Sequence, residues 1–564
     1  MYRRIFLLLC FSIFVKVQGQ QFTDITNQSG IDHYFEVYEG MFGGGIAVLD
    51  YNNDGFEDLY ITGGMQEDQL LENLQNGTFK NVLKTARLES VLRFVTQGVA
   101  AADFNRDGWM DLFVTTITTK SQKRKIPRAQ NLIFINQGDG TFKNNSKSFG
   151  IQRIESFSTG ISVGDFNLDG YPDLYVGNYF TDYDGGLKEI SDATIVNAGK
   201  TAKGYLYENK GGKRFKEVSE KYNIDHRGFS FGGIFTDFDN DNDLDLIVNN
   251  DFGYKAKPNY LLENLYPKKE FQYVGENYEM DLRINAMGGA TADINADGFL
   301  DYFISNIRYN RFMIQDPEKN IFKDQAEALG TQLFTISWGA NFNDFDHDGD
   351  IDLFVSNGDL NPNCVPMYNF FFENVNGQFK EESTKFGLKD YGVGRGSAIF
   401  DLENDGDMDL IVVSQKPIRE YGPPSITRLY RNDIEEGNYL QVKLKGNAST
   451  LSAHGARIQV FSDSLFINQE IDGGNTSHLS HNSTLAHFGL GKRKIIDSLK
   501  VIWPGGEITK MNQIKTNQKI FVEETQEFKK RRLNLIWWLL PISALGFYFF
   551  IRNKKSNTKV NFYL

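Results

Sequence analysis

The sequence predicts an all-β chain: a seven-bladed β-propeller, then a small β domain, then one C-terminal transmembrane helix. Three observations predict it. An acidic loop recurs seven times, a Phe-led strand recurs at near-constant distance before each loop, and the N-terminus carries one such strand in surplus while the end of the array lacks one.

The loop is clearest at Asp103-Phe104-Asn105-Arg106-Asp107-Gly108-Trp109-Met110-Asp111-Leu112. Oxygen side chains fall at positions 1, 3, 5 and 9, glycine at 6, and strand-like apolar runs on either side. Alternate positions of a tight loop aim inward, so the oxygens converge as a hard cation such as Ca²⁺ requires. Position 7 adds a backbone carbonyl, and position 6 takes the left-handed turn. Because the cage closes at 9 and the flanks are strands, this is a strand–loop–strand site and not an EF-hand.

The seven candidate ligand sets, at positions 1, 3, 5, 7 and 9, are as follows. The first is Asp50, Asn52, Asp54, Phe56 and Asp58; the second Asp103, Asn105, Asp107, Trp109 and Asp111. The third is Asp165, Asn167, Asp169, Tyr171 and Asp173; the fourth Asp237, Asp239, Asp241, Asp243 and Asp245. The fifth is Asp293, Asn295, Asp297, Phe299 and Asp301; the sixth Asp344, Asp346, Asp348, Asp350 and Asp352. The seventh is Asp401, Glu403, Asp405, Asp407 and Asp409. Position 6 is Gly in six copies and Asn242 in the fourth, and Asn also tolerates the left-handed region. A single Asp-Gly loop reads as a solvated turn. Seven copies in one register predict up to seven Ca²⁺ sites.

The second repeated element is a Phe opening a polar strand: Phe22, Phe79, Phe142, Phe215, Phe271, Phe322 and Phe379. Each precedes the next acidic loop by 22 to 28 residues, a repeat period. After the last loop, Leu429-Tyr430-Arg431-Asn432 is followed by no Phe strand. A closed ring over 20–435 resolves this, with the strand at Phe22 completing the last blade and removing an open sheet edge. Connection length varies between the second and fourth strands, with insertions near 116–131, 178–204, 251–260, 357–369 and 415–427. If the acidic loops join strands one and two, these insertions crowd the other face, where ligand binding is expected.

Residues 1–19 read as a signal peptide, with Arg3 and Arg4 ahead of an apolar run from Ile5 to Val15. Cys10 lies there, so Cys364 has no intrachain partner and a disulfide framework is excluded. After a basic linker, 527–534, residues 535–551 are apolar and long enough for a short membrane span, with a basic tail at 552–564. The signal peptide places the body outside and the tail inside; a processed sorting tail has the same layout. The formal charge is −13, and Lys and Arg concentrate at the two ends, so the body is more acidic still. Such a body excludes nucleic-acid binding, which Lys and Arg drive.

From 436 to 526 the pattern is that of a compact β domain. Tyr439 to Leu444, Ala456 to Phe461 and Leu499 to Trp503 alternate in polarity, and Pro504-Gly505-Gly506 turns. His454, His478, His481 and His487 fit no standard zinc spacing and are read as hydrogen-bonding histidines.

The acidic loops, with Gly43-Gly44-Gly45-Ile46-Ala47 and Gly232-Gly233-Ile234, resemble FG-GAP/VCBS repeats of the integrin α-chain propeller. Gly455-Ala456-Arg457-Ile458, His487-Phe488-Gly489-Leu490-Gly491 and Asp497-Ser498-Leu499 through Trp503-Pro504-Gly505-Gly506 resemble an ASPIC/UnbV domain. Together they point to the cartilage acidic protein-like family. The resemblance implies a calcium-dependent propeller used in adhesion or recognition.

The expected function is therefore a membrane-anchored, extracytoplasmic, calcium-binding recognition protein with a glycan or protein ligand. The rival is a calcium-dependent, lyase-like enzyme acting on polysaccharides. That reading needs a base and cations gathered on one face, with Lys203, Arg283, Arg308, Tyr309, Arg311 and Arg395 as candidates. No nucleophile elbow, HExxH or phosphate loop is present, so no catalytic residue is assigned.

Overall fold

Each repeat folds as an antiparallel sheet whose strands follow one another in chain order. In the first, Ile46–Leu49 pairs with Asp58–Ile61, then Gln69–Asn73, then Phe79–Asn81. Among the described residues of this computed structural model there are seven such sheets, of four or five strands each. Those residues are 21–37, 43–118, 125, 127–151, 158–180, 201–360, 364–417, 419, 421–422, 424–434 and 436–525. The predicted signal peptide, linker, membrane span and tail lie outside them, as does most of the 178–204 insertion. Among the described residues no helix is long and apolar enough to cross a membrane. The repeats thus form an all-β, propeller-like body.

The seventh sheet takes its outer strand from the N-terminus. Phe22, Thr23 and Asp24 pair antiparallel with Asn432, Arg431 and Tyr430. The strand Phe22–Asp24 is short, because Thr26–Ser29 turns into a helical segment ended by left-handed Gly30. Two sheets have a fifth strand that the sequence reading did not anticipate. Ala202–Lys203 and Ile307–Tyr309 each leave one repeat's second-to-third connection and pair with the first strand of the next sheet.

Neighbouring sheets are joined by the same pair of contacts again and again. The seven strand-opening Phe side chains are all buried, none more than 6% exposed. Several meet the position-2 side chain of a neighbouring acidic loop: Phe215 on Phe104 at 5.6 Å, Phe271 on Phe166 at 6.0 Å, Phe22 on Phe345 at 5.6 Å. These edge-on ring contacts suit the aromatic quadrupole. Alongside them, the Asn ending a third strand donates Nδ2 to the position-2 carbonyl of the preceding loop. Asn136 reaches Tyr51, Asn209 reaches Phe104, and Asn264 reaches Phe166, at 2.7 to 2.8 Å. Asn73 of the first sheet makes the same bond to Leu402 of the seventh at 2.9 Å. Position 4 repeats the link: Asn404 Nδ2 donates to Gly55 O at 3.0 Å.

The C-terminal domain has two sheets. Asn438–Lys445 lies between antiparallel Leu485–Gly491 and parallel Gln518–Glu523. Arg457–Ser462 lies between Leu465–Glu470 and Ile495–Ile502, and the latter pairs with Ile508–Lys515. Trp503, fully buried, packs in their shared core with Leu440, Ile458 and Val501. This domain is not a separate body: contacts group residues through Gln526 into one unit.

Its segment 473–483 enters among the first strands of all seven sheets. His481 exchanges backbone bonds with Ile46 and Val48 of the first sheet, and its Nδ1 accepts from Ala101 N of the second at 2.9 Å. Gly473 O accepts from Val163 of the third, and Asn475 Nδ2 donates to Gly233 O of the fourth. His478 Nδ1 is 2.8 Å from Met287 O, just before the fifth. Asn341 of the sixth donates to Ser477 Oγ, and Ile399 N of the seventh to Asn482 Oδ1. Backbone groups of the inner strands that are left unpaired within their own sheets find partners here. Close approach requires glycine: a Cβ on Gly45 would lie 2.0 Å from Leu479 O, and one on Gly160 1.8 Å from Asn475 Oδ1.

Candidate metal centre

All seven acidic loops share one hydrogen-bond pattern. The position-1 Asp accepts the position-5 N–H on Oδ1 and the position-6 N–H on Oδ2: for Asp103, from Asp107 at 3.1 Å and Gly108 at 2.7 Å. The position-5 Asp accepts the position-7 N–H, as Asp107 does from Trp109 at 3.0 Å. The position-9 Asp is held from both sides by backbone donors in six loops. Asp111 takes Phe104 N at 3.0 Å and Asn136 N at 2.8 Å; Asp173 takes Asn209 N at 2.6 Å and Asn167 Nδ2 at 2.7 Å instead. Position 6 is left-handed throughout, including Asn242 at φ 73°. Position 4 is left-handed too, even where it is Leu168, Ala296, Arg106 or His347.

The structure gathers the predicted side chains unevenly. Three carboxylate oxygens lie within 4.8 Å of one another in the fourth loop, at Asp237, Asp239 and Asp245, and in the sixth, at Asp344, Asp346 and Asp348. The first, second, third and fifth loops have Asn at position 3, so their charge density is lower. In the fourth loop Asp243 is 6% exposed and its Oδ1 is buried without a hydrogen-bond partner. Its pKa is pushed up to about 8, first by burial and then by Asp241, Asp237 and Asp239. A divalent cation fits an oxygen-only donor set of this kind.

Burial likewise raises the position-9 carboxyls, Asp58 and Asp301 to about 8 and Asp111, Asp173, Asp245, Asp352 and Asp409 well above the usual range. A carboxyl whose folded pKa is raised keeps its proton in the native state after the unfolded chain has lost it. Its contribution to stability is therefore present below the unfolded value near 4 and lost as pH rises through the folded value. Metal-stripped protein should melt at progressively lower temperature from about pH 5 to pH 8, and Ca²⁺ should flatten that slope. Thermal melts across that range, with and without Ca²⁺, check the sign.

Of the residues considered for catalysis, Arg308 is exposed and the other five each have their own neighbours. Arg395 is fully buried, 4.1 Å over the Trp338 ring, with Nε on Gln415 Oε1 at 3.0 Å. Arg311 pairs with Asp324 at 3.0 Å, Arg283 with Asp281 at 3.3 Å, and Tyr309 stacks edge-on with Phe334. Lys203 lies 5.9 Å from the Tyr205 ring.

Sequence reasoning missed the C-terminal domain's seat on this face. Arg457 Nη2 meets Asp237 Oδ2 at 2.5 Å, with both side chains 3% exposed. Gln441 Nε2 donates to Asp401 Oδ2 at 2.8 Å, and Tyr439 Oη donates to Asp405 O at 2.9 Å. Arg106, at position 4, donates to Ser449 O and Asn447 O at 2.7 Å.

These features define the class: the chain is an FG-GAP-repeat protein with a C-terminal ASPIC and UnbV domain. The FG-GAP-like repeat family matches residues 50–114, 126–176, 293–355 and 344–412, and the ASPIC and UnbV family matches 446–528. Its relatives include cartilage acidic protein 1 of Xenopus tropicalis, 23% identical over 493 residues, covering 82% of this chain and 70% of that one. Human cartilage acidic protein 1 is 22% identical over 527 residues, covering 87% and 73%. Among solved structures the chain is similar to an Agrocybe aegerita lectin specific for non-reducing terminal N-acetylglucosamine, with TM-score 0.36 and 14% identity, covering 69% of this chain and 94% of that one. It is similar also to a Bacillus licheniformis rhamnogalacturonan lyase, with TM-score 0.36 and 12% identity, covering 74% and 76%. At such TM-scores the likeness carries no argument about ligand or chemistry.

Proposed function

We propose that this chain is an extracytoplasmic recognition protein: a closed seven-bladed propeller, stapled by Ca²⁺ in its acidic loops, that binds a glycan or protein ligand on the face away from those loops. The observation that carries this reading is the seating of the C-terminal domain. It sits against the acidic-loop face, and its segment 473–483 lies among the inner strands, so the far face is the one more open to a ligand. The second-to-third and fourth-to-first connections emerge there. They present Tyr254, Tyr309, Phe334 and Tyr391, each at least 44% exposed. Lysines lie over tyrosines on this face, Lys255 on Tyr254 of its own connection at 5.5 Å and Lys416 on Tyr34 of a different one at 4.8 Å. A cavity of about 330 Å³ lies beside Tyr34, Lys416, Arg419 and Tyr421. Aromatic faces with adjoining cations are suited to sugar rings and acidic groups.

A glycan array probed with the protein in Ca²⁺ tests this. Binding that is lost in Tyr254→Ala and Phe334→Ala, and kept in Phe521→Ala on the C-terminal domain, supports the reading. Release of unsaturated products from an acidic polysaccharide would favour the enzyme instead.

The anchor proposed at 535–551 has its own check. Deleting 529–564 should move the protein from the membrane pellet to the soluble fraction, because no other segment past the leader is long and apolar enough to span.

A further inference from the structure

The acidic loops do not end at their own ligand positions. The C-terminal domain reaches the fourth to seventh loops with a different residue in each. Arg457 and Gln441 donate to the position-1 carboxylates Asp237 and Asp401, both on Oδ2. Gly489 lies so close to the position-1 Asp344 that a Cβ there would sit 1.8 Å from its Oδ2. Asn468 Nδ2 reaches Gly298 O, at position 6 of the fifth loop, at 3.5 Å. Backbone bonds add to these: Gly491 N to His347 O at 2.7 Å, and Gly505 N to Asn242 O at 2.8 Å.

In the fourth and seventh loops the oxygen bonded is the one that already takes the position-6 N–H, and in the sixth Gly489 lies against that same oxygen without bonding it. Oδ1 takes only the position-5 N–H, so it retains acceptor capacity for the loop interior. At the fourth loop the Arg457 guanidinium meets one of the five aspartates, Asp237, whose N–H donates to the buried Glu470, and the Asp243 Oδ1 buried there has no partner. Arg457 reaches one carboxylate of this loop; a divalent cation inside it would give the remaining oxygens, the unpartnered Asp243 Oδ1 among them, a positive partner. Groups that hold a cation's ligands from behind fix their orientation and tune affinity.

We propose that the C-terminal domain is the outer shell of the Ca²⁺ sites in loops four to seven, so that its docking and Ca²⁺ binding are one linked equilibrium. This rests on the calcium reading above. By linkage, whatever docking adds to Ca²⁺ affinity, Ca²⁺ adds to docking. The domain then has a function of its own: it converts cation binding at separate loops into a single closed face.

The test uses the full chain. Ca²⁺ is titrated calorimetrically into wild type, Arg457→Met and Gln441→Met, and hydrogen exchange over 436–525 is followed in Ca²⁺ and in EGTA. The expected result is a loss of roughly ten-fold or more in affinity for a subset of sites in each variant. In wild type, EGTA should raise exchange in Asn438–Lys445 and Arg457–Ser462. Wild-type affinity in both variants, with exchange indifferent to EGTA, overturns the proposal while leaving the calcium reading intact. A wild type that takes up no Ca²⁺ overturns both. If the variants do not fold, the wild-type exchange result decides.

Discussion

Replacing Gly45 or Gly160 by valine is expected to unseat segment 473–483 and cost about 4 kcal/mol or more, the range reserved for severe core disruption. At Gly45 the added Cβ would meet the backbone oxygen of Leu479 at 2.0 Å, which no rotamer change relieves. At Gly160 it would meet Asn475 Oδ1 at 1.8 Å and Phe231 O at 2.5 Å. Displacing the segment leaves inner-strand groups such as Val163 N and Ile399 N without their partners, and each unsatisfied buried group costs about 1–3 kcal/mol. Gly422, with open space around its Cβ position, is the matched control and should tolerate alanine. Denaturant unfolding of the three variants against wild type measures the difference. A Gly160→Val protein as stable as wild type would mean that the segment is peripheral.

Removing residues 20–30 is expected to be nearly as damaging, although it deletes a terminus. Phe22 is 1% exposed and lies edge-on to Phe345 at 5.6 Å and Phe371 at 6.1 Å. Gln21 Nε2 donates to Phe345 O at 2.6 Å, and Arg428 pairs with Asp24 at 3.0 Å. Phe22→Ala alone should cost about 3–5 kcal/mol. The full deletion also bares the edge of Arg428–Asn432, a site for pairing between chains, so aggregation should accompany the lower melting point. Grafting the same residues after Asn432 should restore most of the stability, because the seventh sheet would again have four strands. A loose terminus would give a silent deletion.

The repeats were legible because their signals are local. Seven acidic loops in one register, seven Phe strands and one unmatched strand sufficed to assign the strand at Phe22 to the last sheet; its register against Asn432 was not legible. Left-handed position 6 followed from glycine and Asn242. Left-handed position 4 did not, since Leu168 and Ala296 have no preference for it; the position-1 carboxylate, bonded to the N–H groups of positions 5 and 6, overrides them. The seat of the C-terminal domain was hidden for another reason. Arg457 and Asp237 are 220 residues apart, and no periodicity connects them. A weak signal was present: Gly45, Gly98, Gly160, Gly232, Gly288, Gly339 and Gly396 put one glycine in or beside every first strand, a ring of small residues that implies something packed against it. His478 and His481 were read as ordinary hydrogen-bonding histidines, and their bonds to Met287 O and Ala101 N fit that reading, although the partners lie on different sheets.

The measurement closest to the central claim is the melting temperature of the protein in Ca²⁺ and in EGTA at neutral pH. The 28 side-chain positions of the seven loops hold 24 carboxylates, and their mutual repulsion is relieved by a cation that binds the folded form alone. The predicted result is a midpoint that rises with Ca²⁺ concentration and falls in EGTA, with Mg²⁺ a weaker substitute because it demands tighter octahedral geometry. A midpoint unchanged between Ca²⁺ and EGTA would contradict a calcium-stapled ring.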